Sequence, residues 1–527
     1  MVNLRSCTIY VMTAKVSSFI NSSIKKLMKT LHLTTILIST SIIRTMQTEL
    51  TITPHNITKY WHIPQPHITK LIWRTNKLTK SVLRNFPNVI ELDCSGLKLR
   101  SLQGIETLSK LRILDCSHSY VRSLEGIEGL NLRVLNCGSN NLFNLRGIQA
   151  STDLEVLLCS HNWLRSLRDA SLCTKLCELD YNHNWLDDSN TELNFPLLTK
   201  LTISHTQLRN HLGLQLCPEL LELNCEYCCL SELDVSCCPK LLIIKCSNNA
   251  LTELRGLGVC PNLEMLNCSC NRISGLGLTS SIGLKQLLIS NNQLVSTIFL
   301  KHTPRLTTLI CDSNLLTKLE CIEYCHNLLE VRCRSNKLTS LGKIGSCVSL
   351  QVSDCACNQL KSMDGLEGCV VLQKLNCEDN QLSSLGQLGM CANLRELNCS
   401  NNILTSVCSI SELKQLVFMN CSRNRISSLD GIRACVLLTK LYCDENRLTS
   451  IEPVAGLANL TDFICSHNCI TSLESVVNLT QLCRFWYFNN PLDTQSDQFY
   501  RFAQTLSDYD LILLASSPPR TAWCSML

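Results

Sequence analysis

No stretch of this 527-residue chain is apolar for the roughly 18–20 residues that a membrane-crossing helix needs. The longest candidate, Leu31 to Ile43, is too short and is diluted by Thr34, Thr35, Ser39, Thr40 and Ser41. No glycine-rich phosphate loop, nucleophile motif or paired-carboxylate arrangement stands out, and this argues against an enzyme and against a bound cofactor. A broad basic field is missing as well. Lys and Arg number 48 against 43 Asp and Glu, a net charge of +5, which speaks against nucleic acid as a partner. Acidic residues are absent from positions 1–48, where six Lys or Arg stand among many Ser and Thr. That composition is the one organelle transit sequences have. The stretch from Lys25 to Ile43 has the charge-then-apolar order of a signal peptide, but no small-residue cleavage site follows. The preferred reading is that translation starts at Met46, leaving 1–45 as a basic, Ser/Thr-rich extension.

What the chain has in abundance is leucine and cysteine in register. Apolar residues make up 45% of it, and 36 residues are Cys. One pattern recurs, L-x-x-L-x-C-x-x-N-x-L, with a clear copy at Leu394, Leu397, Cys399, Asn402 and Leu404. With the Cys position as a marker, twenty copies run from Trp73 to Tyr487, spaced fifteen times by 22 residues and four times by 21. The Leu and the marker lie two apart, so both point to one face of a short strand. Each unit of this size cannot bury its apolar side alone and must stack on its neighbours. Asn stands three residues after the marker in sixteen copies, where a buried amide satisfies backbone groups of its own coil and the next. Leu97, Ser119, Thr206 and Cys228 replace it elsewhere, and those coils should be less well pinned.

The pattern resembles the leucine-rich-repeat family over roughly residues 65–495. The 22-residue length and segments such as Ser123-Leu124-Glu125-Gly126-Ile127 are similar to the class found in protein-phosphatase-1 regulatory subunits and bacterial internalins. The Cys-bearing form, Cys399-Ser400-Asn401-Asn402, is more similar to repeats of large DNA viruses and some bacteria. The resemblance implies an α/β solenoid, a right-handed curved array with a parallel concave sheet, and protein binding as its role. The expected organisation is an N-terminal extension at 1–45, a cap region at 46–65, a solenoid at 66–492, a cap helix and closing segment at 493–515, and a tail at 516–527. The cap helix is read from Phe499, Phe502, Ala503 and Leu506 at amphipathic spacing.

Fifteen cysteines occupy the marker row and nine more lie eight residues earlier, so 24 of the 36 fall at positions expected to face inward. In-register parallel strands aim these side chains in one direction, which suits stacking better than bridging. A reduced, cytoplasmic column follows, in host cytoplasm if the chain is viral; a secreted protein is the weaker alternative.

On the concave side, the residues flanking the marker are mostly Asp, Asn and Ser, as a solvated strand surface would be. Two departures mark a candidate partner face: Arg332 and Arg334 beside Asp354, and the aromatics Tyr442, Trp486 and Phe488. His161, His183 and His205, one repeat apart, could share a divalent metal, but the expectation is an exposed turn and no metal. The C-terminal Cys524-Ser525-Met526-Leu527 fits a prenylation signal on Cys524, the one route to a membrane, with little basic sequence to support it. The sequence thus reads as a monomeric, non-catalytic scaffold for a protein partner. A regulatory subunit of a phosphatase-like enzyme and a secreted or surface adhesion protein of internalin type are the rivals.

Overall fold

The computed structural model describes residues 48–186, 193–209 and 212–492. The basic extension, the cap helix, the tail and Cys524 lie outside the described residues. The chain forms two compact units, which divide between Leu154 and Glu155. Each is built from the same coil. A three- or four-residue strand carries the Leu and the marker, a tight turn follows, and a short return, most often a single 3-10 turn, leads to the next strand.

In the first unit the strands Glu49–Ile52, Lys70–Trp73, Glu91–Asp93, Ile113–Asp115 and Val134–Asn136 pair in parallel, each with the next in sequence. The earliest of these was not expected. It lies in the segment read as a cap, yet Ile52 sits opposite Trp73 and so occupies the marker row. Its signal was Leu50-x-Ile52 at 21 residues before Trp73; the missing Asn at position 55 hid it. In the second unit, parallel strands run from Val156–Leu158 to Arg484–Trp486, again pairing in sequence order. A separate parallel pair, Leu233–Asp234 with Leu254–Arg255, joins two successive coils away from the main sheet.

The core of each unit is two columns of inward side chains, the Leu row and the marker row, and it is fully buried from Leu92 and Cys94 through Leu441 and Cys443. At Trp73, Tyr181, Ile203 and Ile289 the marker is not Cys and is still buried, whereas Tyr487 in the last coil is only partly so. The return side is fixed by small local bonds. In Ser123-Leu124-Glu125-Gly126 the Ser123 hydroxyl accepts the N–H of Glu125, and Glu128 accepts that of Gly126 at 2.7 Å. Gly126 has φ +108°, and a Cβ there would stand 2.8 Å from the carbonyl oxygen of Leu102, so only glycine fits.

The Asn that recurs three residues after the marker is what joins one coil to another. The Asn402 amide donates to the carbonyls of Cys399 and Ser400 in its own coil, at 3.1 and 3.0 Å, and to that of Cys377 at 3.0 Å. Its Oδ1 accepts the N–H of Leu382 at 2.9 Å. Cys377 and Leu382 belong to the preceding coil, so the amide reaches back and not forward as the sequence suggested. The same four bonds recur at Asn336, Asn358, Asn424 and Asn468. The substitutes do part of this. Cys228 donates its thiol back to the carbonyl of Ile203 at 3.1 Å, and the Thr206 hydroxyl bonds Ile203 in its own coil and the Cys228 thiol in the next. The buried Ser119 hydroxyl has no hydrogen-bond partner.

Asn402→Ala should therefore cost about 3 kcal/mol, because it strands carbonyls and an N–H that burial hides from water. Hydrogen exchange of the amides from 377 to 404 reads this locally. Accelerated exchange confined to those two coils is expected, and exchange matching the wild type would contradict the ladder's role.

Candidate protein-binding face

Two rows flanking each marker point outward from the strands, and most of them are satisfied within their own coil. The Asp115 carboxylate accepts both the N–H and the hydroxyl of Ser117, at 2.9 and 2.7 Å. Asn398 does the same for Ser400, at 3.2 and 2.8 Å. This is the physical reason for the recurrent Asp/Asn-x-Ser: the outer row closes the turn it stands on and keeps little polar capacity for a partner.

Where that rule lapses, the sequence-predicted residues fall into two clusters. In the first, Arg332 is exposed, bonds Glu330 at 2.6 Å and lies opposite Asp354 in the sheet register. Arg334 is half-buried, and its N–H donates to Asp312 at 2.7 Å. Burial pushes the Asp312 carboxyl up, and the charge of Asp354 adds to this against the bond from Arg334. The second cluster is aromatic. Tyr442 meets Phe418 edge-on, with ring centroids 5.6 Å apart at 84°. Burial raises its phenol, with Asp462 adding to the effect and Arg484 opposing it. Tyr442, Ile464 and Trp486 are successive partners in one outward row. Ile464, which stands between Tyr442 and Trp486 in the row, is only 2% exposed although it points outward. Phe488 stacks on Tyr487 at 5.7 Å, and Tyr487 in turn packs on the core ring Phe485 at 5.0 Å.

The structure does not bring the two clusters together. Four coils separate Asp354 from Tyr442, about 19 Å at the strand spacing of a sheet. Asn376, Asn398 and Asn420 stand between them. Phe418 and Ile464 belong to the aromatic cluster and were missed. Ile464 was legible, since it shares the row of Tyr442 and Trp486, whereas Phe418 sits in a different outward row and joins only through ring size.

His161, His183 and His205 stack face to face, with centroids 4.1 Å apart. Lone pairs in parallel ring planes do not converge on one ion, and among the described residues no group of three or more His, Cys, Asp or Glu is arranged to hold a metal. All eighteen non-Gly residues at this turn position from His118 to Asn489 have φ between 52 and 57°, the left-handed region that His, Asn and Asp tolerate better than most.

Beneath the face lie the cysteines. Marker thiols donate forward to the next coil's backbone, as Cys333 does to the carbonyl of Asp354 at 3.4 Å and Cys443 to that of Ile464 at 3.3 Å. The other row donates backward, as Cys347 does to Ile322 and Cys391 to Leu366, both at 3.5 Å. Burial pushes Cys399 up to about 12, Cys369 to about 12, with the charge of Cys391 adding, and Cys391 to about 11. These are neutral thiols acting as small apolar groups with a weak donor, unsuited to hold a metal as thiolates.

A raised thiol pKa favours the folded state while the thiol stays protonated. That stability is complete below the unfolded value near 8.5 and is lost as pH climbs toward the folded values. Each such thiol removes about 1.4 kcal/mol per pH unit in that window, so a handful cancels the ~5–15 kcal/mol of a typical domain. Thermal melts between pH 8.5 and 10.5 should fall steeply. Replacing Cys369, Cys391 and Cys399 with Ala should flatten the slope, and an unchanged slope would contradict this account.

Residues 370–415 match the family model described as leucine rich repeats (2 copies). No curated protein matches. Among solved structures, a plant peptide hormone receptor, RGFR1 in complex with RGF2, is similar at 21% identity over 85% of this chain and 86% of that one, with a TM-score of 0.66. YopM from Yersinia enterocolitica is 22% identical over 90% of this chain and 99% of its own, with a TM-score of 0.61. A leucine-rich-repeat protein of Leptospira interrogans is 19% identical over 88% and 99%, with a TM-score of 0.55. At these identities the likeness is one of fold, and it agrees with the coil described above: residues 370–415 carry leucine-rich repeats, and both units have the leucine-rich-repeat solenoid fold.

Proposed function

We propose that the protein is a non-catalytic interaction scaffold that binds a protein partner on the strand face of its late coils. The observation that carries this reading is the run Tyr442, Ile464 and Trp486, with Phe418 and Phe488 beside it; most other coils place Asp or Asn in that row, and its other apolar members, among them Leu158, Leu288 and Ile310, bring no ring. Half-buried aromatics on a rigid sheet form the hot-spot centre of many interfaces, because they bury large areas at little entropic cost. Arg332 and Arg334 with Asp354 form a second, charged contact about 19 Å away, a span that suits an extended or globular protein ligand better than a small molecule. The solved structures of the plant peptide hormone receptor RGFR1 with RGF2 and of the receptor kinase HAESA with the peptide hormone IDA support a peptide or protein as the class of partner.

A monomer in the cytoplasm fits the neutral thiol rows, since dozens of buried thiols are hazardous where disulfides form. The rival, a secreted adhesion protein, requires oxidised cysteines, so a thiol count under denaturing conditions near the full 36 removes it.

Affinity capture from eukaryotic cytosol with the full chain tests the main reading, beside a copy with Arg332, Arg334, Tyr442 and Trp486 changed to Ala. A partner retained by the first and lost by the second is expected. Tyr442→Ala and Trp486→Ala should each weaken binding by roughly 30-fold, chiefly through faster dissociation. A partner held equally by both copies would move the binding face elsewhere.

A further inference from the structure

The early coils of the second unit carry a feature the late-coil reading leaves unused. His161, His183 and His205 occupy one turn position in successive coils, each with left-handed backbone. Their rings stack 4.1 Å apart with planes within 14° and 10° of parallel, and Tyr227 extends the column at 4.4 Å. Two residues further along their coils, Trp163 and Trp185 form a second stack at 5.8 Å. All six side chains are exposed. In both columns the ring faces are turned against one another, so solvent meets ring edges. Those edges are the electropositive side of the aromatic quadrupole and carry the imidazole nitrogens and the indole N–H.

The fixed charges nearby leave no cationic excess while the imidazoles are neutral. Arg165 and Arg209 are exposed, four residues after His161 and His205 in their coils. Against them stand Asp180 in the strand before His183, and Glu226 before Tyr227, whose carboxylate turns to Ser247 at 2.5 Å and Asn267 at 3.1 Å. Asp187 and Asp188 follow Trp185 in sequence, outside the described residues. Burial, and then the neighbouring His161 and His205, hold His183 below its usual range, with Asp180 acting the other way. Two unit charges 4 Å apart repel by about 1 kcal/mol even in water, so the column takes up its second and third protons more readily once carboxylates lie along it. Proton uptake and the binding of an anion are then reciprocally linked.

We propose that this double column is a docking edge for an acidic peptide segment, engaged as the imidazoles take up protons below neutral pH. It is independent of the late-coil face, since it uses other coils and other chemistry.

The test uses the full chain and a ten-residue oligo-aspartate peptide as probe, titrated calorimetrically at pH 7.5 and 5.5. Binding at least tenfold tighter at pH 5.5 is expected, with net proton uptake seen as a buffer-dependent heat. The variant His161→Asn/His183→Asn/His205→Asn keeps the turn, because Asn248, Asn291 and Asn401 already hold the same left-handed position in other coils. It should melt like the wild type at pH 7.5 and lose both the acid-dependent gain and the proton uptake. Trp163→Ala/Trp185→Ala should weaken binding at pH 5.5 while leaving the pH dependence in place. No binding by the wild type at pH 5.5, or an equal gain in the triple-histidine variant, overturns the proposal.

Discussion

Everything in this molecule depends on one side-chain amide. In a solenoid the strands supply backbone bonds between coils only over three or four residues, and the turn that follows would leave its carbonyls and N–H groups buried and unpaired. The Asn amide answers both needs at once: two bonds close its own turn, and two more fasten that turn to the preceding coil. Glutamine is too long for the same geometry, and aspartate has no donors for the three carbonyls. The 22-residue period follows from this, because the amide finds its partners only when successive turns sit in register. The four coils that lack it show what the constraint tolerates. Cys228 recovers the backward bond with a thiol, Thr206 recovers a bond within its own turn, and Ser119 recovers neither.

The cysteine rows follow from the same logic applied to volume. A column that stacks at strand spacing has room for a small side chain, and the thiol adds a weak donor that Ala or Val lacks. The marker row points that donor at the next coil and the second row points it at the one before, so sulfur stitches the array in both directions around the Asn ladder. The gain per bond is modest and its repetition is not. The same repetition makes the core sensitive to alkali and to oxidants, since each thiol contributes only while it is neutral and reduced.

The coil was legible in the sequence because its determinants are periodic. Leu at one position, Cys at the next but one and Asn three further specify the strand, the inward face and the turn. What stayed hidden was aperiodic or directional. The strand Glu49–Ile52 lacks the Asn, so the period could not reveal it, although Leu50 and Ile52 carry the apolar half of the signal. The backward sense of the amide bonds depends on the hand of the turn, on which residue spacing is silent. At the candidate face, the row of Tyr442 and Trp486 could be read, but the edge-on contact of Phe418 arises from ring packing across coils. The equal spacing of three histidines marked an exposed turn repeated in successive coils, while the face-to-face stacking of their rings was not visible in the spacing alone.

Because the fold is held by backbone and by two inward rows, the outward positions are free of structural duty once an Asp or Asn has closed its Ser. Substituting those positions costs the coil little, so they vary without penalty and their variation carries information. A lone departure such as Lys245 is therefore uninformative. A departure repeated in adjacent coils is different, because each neighbour must then pack against the same kind of side chain. This holds for Tyr442, Ile464 and Trp486 on one row and for His161, His183 and His205 on another. Both runs also leave the polar norm of the array for aromatic or apolar groups that water solvates poorly. The fold does not require either run, and each exposes surface that a partner could desolvate at a gain. In a repeat protein, function is thus written in the places where consecutive coils depart from the repeat in the same way.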